Sequence, residues 1–197
     1  MKIEFIIPTW KRPEELILIL QSLIVQTNSN WTAHVIIDGL TDDYRKVKDL
    51  YQNEDRVRFS HLESPHNDWG HTARNYGLDN ATEDWIVMTG DDNYYVRTFV
   101  QEFLTYPKLE GCKFMFCNMV HNNFRPGYRP ITSTLQKGQI DIGNFMCRRN
   151  EIGDIRLNTK SYEADWEFID EYMTKNLKRW DAQSAIIKID KFLYVHN

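Results

Sequence analysis

An α/β architecture, with a mostly parallel central sheet and helices on both faces, is the fold class that the sequence predicts. Three observations carry it. Strand-like and helix-like runs alternate through the first half of the chain, as right-handed crossover units require. The strand-like run "DWIVMTG" holds Ile86, Val87 and Met88 side by side instead of alternating with polar residues, which suits a strand covered on both faces. The 197 residues, 42% hydrophobic and 26% charged, suit one globular domain with a sizeable core.

Each element follows in order. "IEFIIP" is a buried strand, and "RPEELILILQSLIVQ" is a helix whose Leu16, Ile19, Leu20 and Leu23 recur at helical spacing, with Pro13 suited to the first turn. "AHVIIDG" is a second strand, and the polar turn "LTDD" is expected to cap a helix around "YRKVKDLYQ". "VRFSHLE" is a third strand, "HTARNYGLDNAT" a helix ended by polar residues, and "DWIVMTG" a fourth strand. A helix over "YVRTFVQEFLTY" and a strand over "KFMFCNMV" come next. The Asn-, Gly-, Pro- and Arg-rich stretch "HNNFRPGYRPITSTLQKG" is expected to be a long functional loop. "QIDIGNFMCRR" resumes as a strand, "YEADWEFIDEYMTKN" is a helix, and "SAIIKIDKFLYVHN" supplies one or two terminal strands.

In an open parallel sheet, ligands bind outside the carboxyl ends of the strands. "PTWKR", "DGLTDD" and "GDDN" follow the first, second and fourth strands, so three polar loops converge on one rim. Adjacent carboxylates at such a place repel unless a cation or a donor lies between them, and Mg²⁺ or Mn²⁺ against a diphosphate is the economical solution. A polar turn with a helix cap is the plainer reading of "GDDN" on its own.

The net charge of −4 provides no basic field for nucleic acid. Cys112, Cys117 and Cys147 show no paired metal spacing and read as buried thiols of a reducing compartment. No stretch reaches the length of a membrane span and the first residues do not read as a signal peptide, so a cytoplasmic protein is expected, with peripheral membrane contact still open.

The segments "FIIPTWKRPEELILILQSL", "VIIDGLTDD", "ARNYGLDNATEDWIVMTGDDN" and "YEADWEF" follow the order and approximate spacing of the family 2 glycosyltransferases of the GT-A fold. The chain resembles that family over nearly its whole length. The resemblance implies a single GT-A (nucleotide-diphospho-sugar transferase) domain over 1–197, with 1–95 as the nucleotide-sugar half and 96–197 as the acceptor half. It carries base and ribose recognition to Pro8, Thr9 and Asp38, with Ile37 standing where the family often has a further acid. Arg74 in "ARN" matches a position that approaches the diphosphate, against the alternative of an exposed helix arginine. Asp91-Asp92-Asn93 matches the DXD region: Asp92 is the expected principal ligand of Mn²⁺ or Mg²⁺, Asp91 faces ribose or the metal, and the Asn93 amide replaces an acid. His196 is either a further metal ligand or part of a solvated tail.

The resemblance selects Asp165 as general base, with Glu163 in reserve. Trp166 either stacks on an acceptor sugar or packs in the core. The five other histidines show no ligand spacing, and His121 is the one expected nearest an acceptor. The implied activity is an inverting, metal-dependent transfer from a nucleotide sugar, with a UDP-sugar expected, to a saccharide or glycan hydroxyl in polysaccharide biosynthesis. Two rivals stand beside it. A sugar nucleotidyltransferase would ordinarily carry a glycine-rich loop after the first strand, which "PTWKRPEE" lacks. A binding module without chemistry would retain the ligand and show no turnover.

Overall fold

The computed structural model describes residues 1–107, 109–122, 127–177 and 185–197. The chain opens with β1 (Ile3–Thr9), whose seven residues are all buried, and α1 (Pro13–Ile24), which starts on Pro13. There follow β2 (Trp31–Ile37), α2 (Arg45–Leu50), β3 (Val57–His61), α3 (His71–Asp79), β4 (Trp85–Met88), β5 (Tyr94–Tyr95) and α4 (Phe99–Leu104). The second half holds β6 (Phe114–His121), β7 (Arg129–Ile131), β8 (Phe145–Arg148), α5 (Arg149–Ile152), α6 (Ala164–Leu177) and β9 (Ile186–His196).

One sheet runs β3-β2-β1-β4-β8-β6-β9-β5, with β7 added beside β6. The ladders from β3 through β4 are all parallel, as the first half of the sequence predicts. Beyond β4 the sheet changes character: β8 is antiparallel to both β4 and β6, β5 to β9 and β7 to β6, while β6 and β9 run parallel. The mostly parallel sheet that the sequence predicts is continuous from β3 to β4 and is joined beyond it by antiparallel strands around the parallel β6–β9 pair.

Alternate residues of each buried strand feed two cores. Ile3, Phe5 and Ile7 of β1 join α1 and α4 on one face, while Ile6 joins α3 and α6 on the other. Trp85 and Val87 of β4 likewise face the first core, and Ile86 and Met88 the second. Gly77 allows α3 to lie close on the sheet, since a Cβ there would stand 2.4 Å from Ile6 Cγ2.

Several boundaries differ from expectation. The "LTDD" turn does not cap α2 with a side chain; the N-cap is Tyr44, and Thr41 Oγ1 accepts from the Asp43 amide within the turn. In "QIDIGNFMCRR" only Phe145–Arg148 is strand. Asp141 and Asn144 close a turn on each other before it, with Asn144 N donating to Asp141 O at 3.2 Å and Asp141 N to Asn144 Oδ1 at 3.0 Å. The loop expected over residues 121–138 includes the end of β6 and the short β7; its residues 123–126 lie outside the described residues. Helix α6 begins at Ala164, which leaves Tyr162 and Glu163 in the segment ahead of it. The terminal segment forms a single strand, with register shifts where Asn118 faces it.

Candidate functional site

A cleft of about 440 Å³ opens at the carboxyl ends of β1, β2 and β4. Pro8, Thr9, Asp38, Arg74, Asp91 and Asp92 all line it, and His196 reaches it from β9. The convergence of loops inferred from strand order is thus present, because parallel strands place their carboxyl ends on one edge.

At the end of β4, Thr9 Oγ1 donates to Asp91 Oδ2 at 2.7 Å. With that proton committed, Tyr44 Oη donates to Thr9 Oγ1 at 2.8 Å, and it accepts from the Arg12 amide at 3.1 Å. Arg12 Nη1 lies 3.3 Å from Asp91 Oδ1 and 2.7 Å from Asp92 Oδ2. A guanidinium therefore supplies the bridging donor that the carboxylate pair calls for, and the pair does not by itself require a metal. Burial raises the Asp91 carboxyl to about 6, against the opposing effects of the Thr9 hydrogen bond and the Arg12 charge. The Asp91 charge in turn raises Arg12. Asp92 is the more open of the two acids, and Arg12 engages only its Oδ2. A carboxylate at the cleft mouth with an oxygen outside that ion pair, and the imidazole of His196 on the same lining, are donors of the kind that could hold a divalent cation.

Asp38 is buried and held by His66, whose Nδ1 lies 2.7 Å from Oδ1 and whose amide donates to Oδ2 at 3.1 Å. Arg74 is buried as well, and the exposed-helix alternative does not hold. Its Nε and Nη2 donate to Thr89 O at 3.2 and 3.0 Å, and its Nη1 to Trp69 O at 2.8 Å. Burial lowers its pKa, with Asp141, Tyr194, Asp165 and Asp91 acting in the opposite direction. Asn93 sits next to the acid pair in sequence but outside this lining. Its amide donates to Thr89 Oγ1 at 3.2 Å and accepts from the Asn197 amide at 3.2 Å.

A second cleft, of about 510 Å³, adjoins the first; Trp69, Arg74 and His196 line both. Asp165, Glu163 and Trp166 line it from α6 and the segment before it. Burial raises the Asp165 carboxyl, opposed by the Trp166 amide that donates to Oδ1 at 2.7 Å. Glu163 is exposed and pairs with Lys137 at 2.6 Å. Trp166 packs in part against the second core.

His196 belongs to β9 and is not a solvated tail. Its Nδ1 lies 2.8 Å from Asp141 Oδ2, and its ring stacks on His121 with centroids 4.1 Å apart. Asp141 Oδ1 accepts from Tyr194 Oη at 2.7 Å and from the Gly143 amide at 2.9 Å. Burial works to raise the Asp141 carboxyl, but the His196 hydrogen bond and charge prevail and hold it down at about 2. His196 is raised in return, its own desolvation being outweighed by Asp141. One ligand atom from each of His121, Asp141 and His196 lies within 4.8 Å of the others, a set able to hold a metal ion.

Arg12 and Asp141 were not among the sequence candidates. Arg12 was visible as the basic residue of "PTWKR", but its partners are 79 and 80 residues away. Asp141 was hidden by the reading of "IDIG" as strand interior. Asp68, which no sequence motif marks, is also buried on the first cleft: its Oδ2 accepts from the Thr72 amide and hydroxyl at 2.8 and 2.6 Å, and its Oδ1 has no partner among the described residues.

The family model described as "Glycosyl transferase family 2" matches residues 4–156. An uncharacterized glycosyltransferase of Rickettsia felis is 28% identical over 115 residues, which are 58% of this chain and 18% of that protein. The chain thus spans about a fifth of that relative's length. Among solved structures, S. aureus TarS superposes with a TM-score of 0.80 at 17% identity, covering 100% of this chain and 37% of that one. TarS 1–349 in complex with UDP-GlcNAc gives a TM-score of 0.77 at 18% identity, covering 99% and 58%. At these identities the TarS likeness concerns the fold, which is GT-A.

Proposed function

The chain belongs to glycosyl transferase family 2, and from that premise we propose that it transfers a sugar, with inversion, from a UDP-sugar to a hydroxyl of a saccharide or glycan acceptor. The observation that carries the proposal is the Asp91–Asp92 pair at the end of a buried parallel strand, in one cleft with Asp38 and Arg74. The UDP and UDP-GlcNAc complexes of TarS, a structure of the same fold, support the choice of nucleotide.

Asp38, oriented by His66, accepts from an N–H of the base, while Pro8 and Thr9 bound the base and ribose. Asp91 faces the ribose. Asp92, with His196, would hold Mn²⁺ or Mg²⁺, and such an ion supplies Lewis-acid stabilisation of a departing diphosphate. Arg74 adds a fixed positive charge between the two clefts. On the acceptor side, Asp165 takes the proton of the attacking hydroxyl, and its raised pKa suits a base working nearer neutrality. Glu163, tied to Lys137 and exposed, is the weaker candidate. Residues 1–95 serve chiefly the donor and 96–197 the acceptor, although Trp69, Arg74 and His196 serve both clefts. No helix among the described residues is long and apolar enough to cross a membrane. The three buried, free cysteines support a reducing, cytoplasmic setting, and polysaccharide assembly is the process we assign.

Calorimetry of UDP with and without Mn²⁺ tests the donor site. Wild type should bind UDP more tightly with the metal, and Asp92→Asn should lose most of that gain. An equal metal dependence in the variant would remove Asp92 from the site. Donor binding without any sugar transfer would point to a binding module on the same fold.

A further inference from the structure

We propose that Trp69 and Tyr162 form an aromatic platform that receives the apolar face of a pyranose ring of the acceptor; the proposal rests on the glycosyltransferase reading above. The backbone at Trp69 gives the first reason. Trp69 has φ of 59°, in the left-handed region, and it lies between Asn67 at 54° and Gly70 at 80°. Bulky residues avoid that region, and glycine takes it without steric cost. The conformation itself serves the entry to α3: Asp68 Oδ2 accepts from the Thr72 amide and hydroxyl, and Trp69 O accepts from Arg74 Nη1. A glycine would fill that role, so the indole needs a separate explanation.

Core packing does not explain it, because Trp69 is 56% exposed and Tyr162 is 74% exposed. The two rings nonetheless meet each other, edge to face at 75° with centroids 5.7 Å apart. Their pairing is anchored from below: His71 lies 5.8 Å from the Trp69 ring, and its Nε2 is 3.2 Å from Ser161 O, beside Tyr162. Both rings line the second cleft together with Asp165, and Trp69 also lines the first. An open aromatic corner beside a carboxylate suits a sugar, whose axial C–H face is apolar and whose hydroxyl edge is polar. Trp166 is partly committed to the second core, whereas these two rings face the cleft with most of their area exposed.

The test is saturation-transfer NMR and titration with three probes: methyl β-D-glucopyranoside, methyl β-D-galactopyranoside and methyl N-acetyl-β-D-glucosaminide, each with and without UDP and Mn²⁺. Wild type should transfer saturation to the ring protons of one apolar face of at least one glycoside. Trp69→Gly and Tyr162→Ala should each weaken that binding by about fivefold to tenfold, the loss expected for one ring contact. Trp69→Gly should melt no lower than wild type, since glycine relaxes the backbone at this position. Tyr162→Ala should keep the UDP affinity of wild type. No saturation transfer to any of the three glycosides in wild type, or unchanged glycoside affinity in both variants, would overturn the platform. A wild type that fails to bind UDP yet shows the ring-dependent glycoside signal would overturn the UDP-sugar donor reading and leave the platform standing.

Discussion

Asp165 draws its proposed basicity from the burial that places it beside the second cleft, and this ties one residue to a pH profile. Its folded-state pKa lies above the ordinary value of 3.8, so it stays protonated to a higher pH than an exposed aspartate. Transfer should therefore fall on the acid side at a pH above the usual aspartate range, and raising the pH through that point should restore it. Asp165→Asn keeps the shape and removes the base, which should lower the transfer rate by roughly 10²–10⁴ while UDP binding persists. Glu163→Gln should change the rate little, because Glu163 is exposed and engaged by Lys137; a large loss there would move the base two residues upstream. At this scale the sequence exposed the acids well and their partners poorly. Asp38, Asp91 and Asp92 stand out by type and by position after strands, and the family resemblance selects Asp165. His66, Arg12 and Asp141 become meaningful only through contacts made across 28, 79 and 55 residues, a separation that no local pattern records.

Between residues and molecule, the elements show why β6, α6 and β9 were legible in the second half and its short strands were not. The long, fully buried β1 and a twelve-residue α1 with apolar residues at helical spacing carry a strong pattern, whereas β5 and β7 have 2 and 3 residues, too few to show one. The turn before β8 illustrates the loss, since "IDIGNF" alternates like a strand but folds back on Asn144, which donates to Cys117 O at 2.7 Å and Ser133 Oγ at 2.9 Å. Gly143 in that turn has no room for a side chain: a Cβ would stand 2.4 Å from the Tyr194 ring, which holds Asp141. Gly143→Ala should cost about 1–3 kcal/mol through overpacking, and by displacing Tyr194 it should loosen the Asp141–His196 pair; an unchanged melting temperature would contradict this. Strand β2 supports a separate expectation. His34 is fully buried, shares a 2.8 Å hydrogen bond with Ser60, and has no partner for Nδ1 among the described residues. Burial, reinforced by Arg58, lowers its pKa from 6.5 to about 4. The unfolded chain therefore takes up this proton first, so the contribution to stability is complete above pH 6.5 and declines as the pH falls toward about 4. The decline should amount to about 3 kcal/mol over that window. His34→Gln should flatten the slope, as followed by urea unfolding at several pH values.

Across the whole molecule, one buried cation joins the parallel half to the mixed half. Arg74 arises from α3, donates to the ends of β4 and the Trp69 turn, and lies within the field of Asp91 from the donor side and of Asp141 and Asp165 from the acceptor side. The chain carries a net charge of −4, and these carboxylates concentrate negative charge where the two clefts meet. A guanidinium there offsets that repulsion and also satisfies two backbone carbonyls through a planar fork, which an ammonium does not reproduce. Removing one partner from a buried charged cluster leaves the others uncompensated, at about 3–5 kcal/mol. Arg74→Met should therefore lower the melting temperature by about 10 °C, given roughly 2–4 °C per kcal/mol for a chain of this size. Arg74→Lys should fall between wild type and Arg74→Met, because it keeps the charge and loses the fork. Both variants should weaken UDP as well as stability, since the same group faces the donor cleft and braces the turn that borders it. Equal melting temperatures for wild type and Arg74→Met would show that the carboxylates do not depend on this cation, and a loss of stability with unchanged UDP affinity would confine Arg74 to bracing the fold.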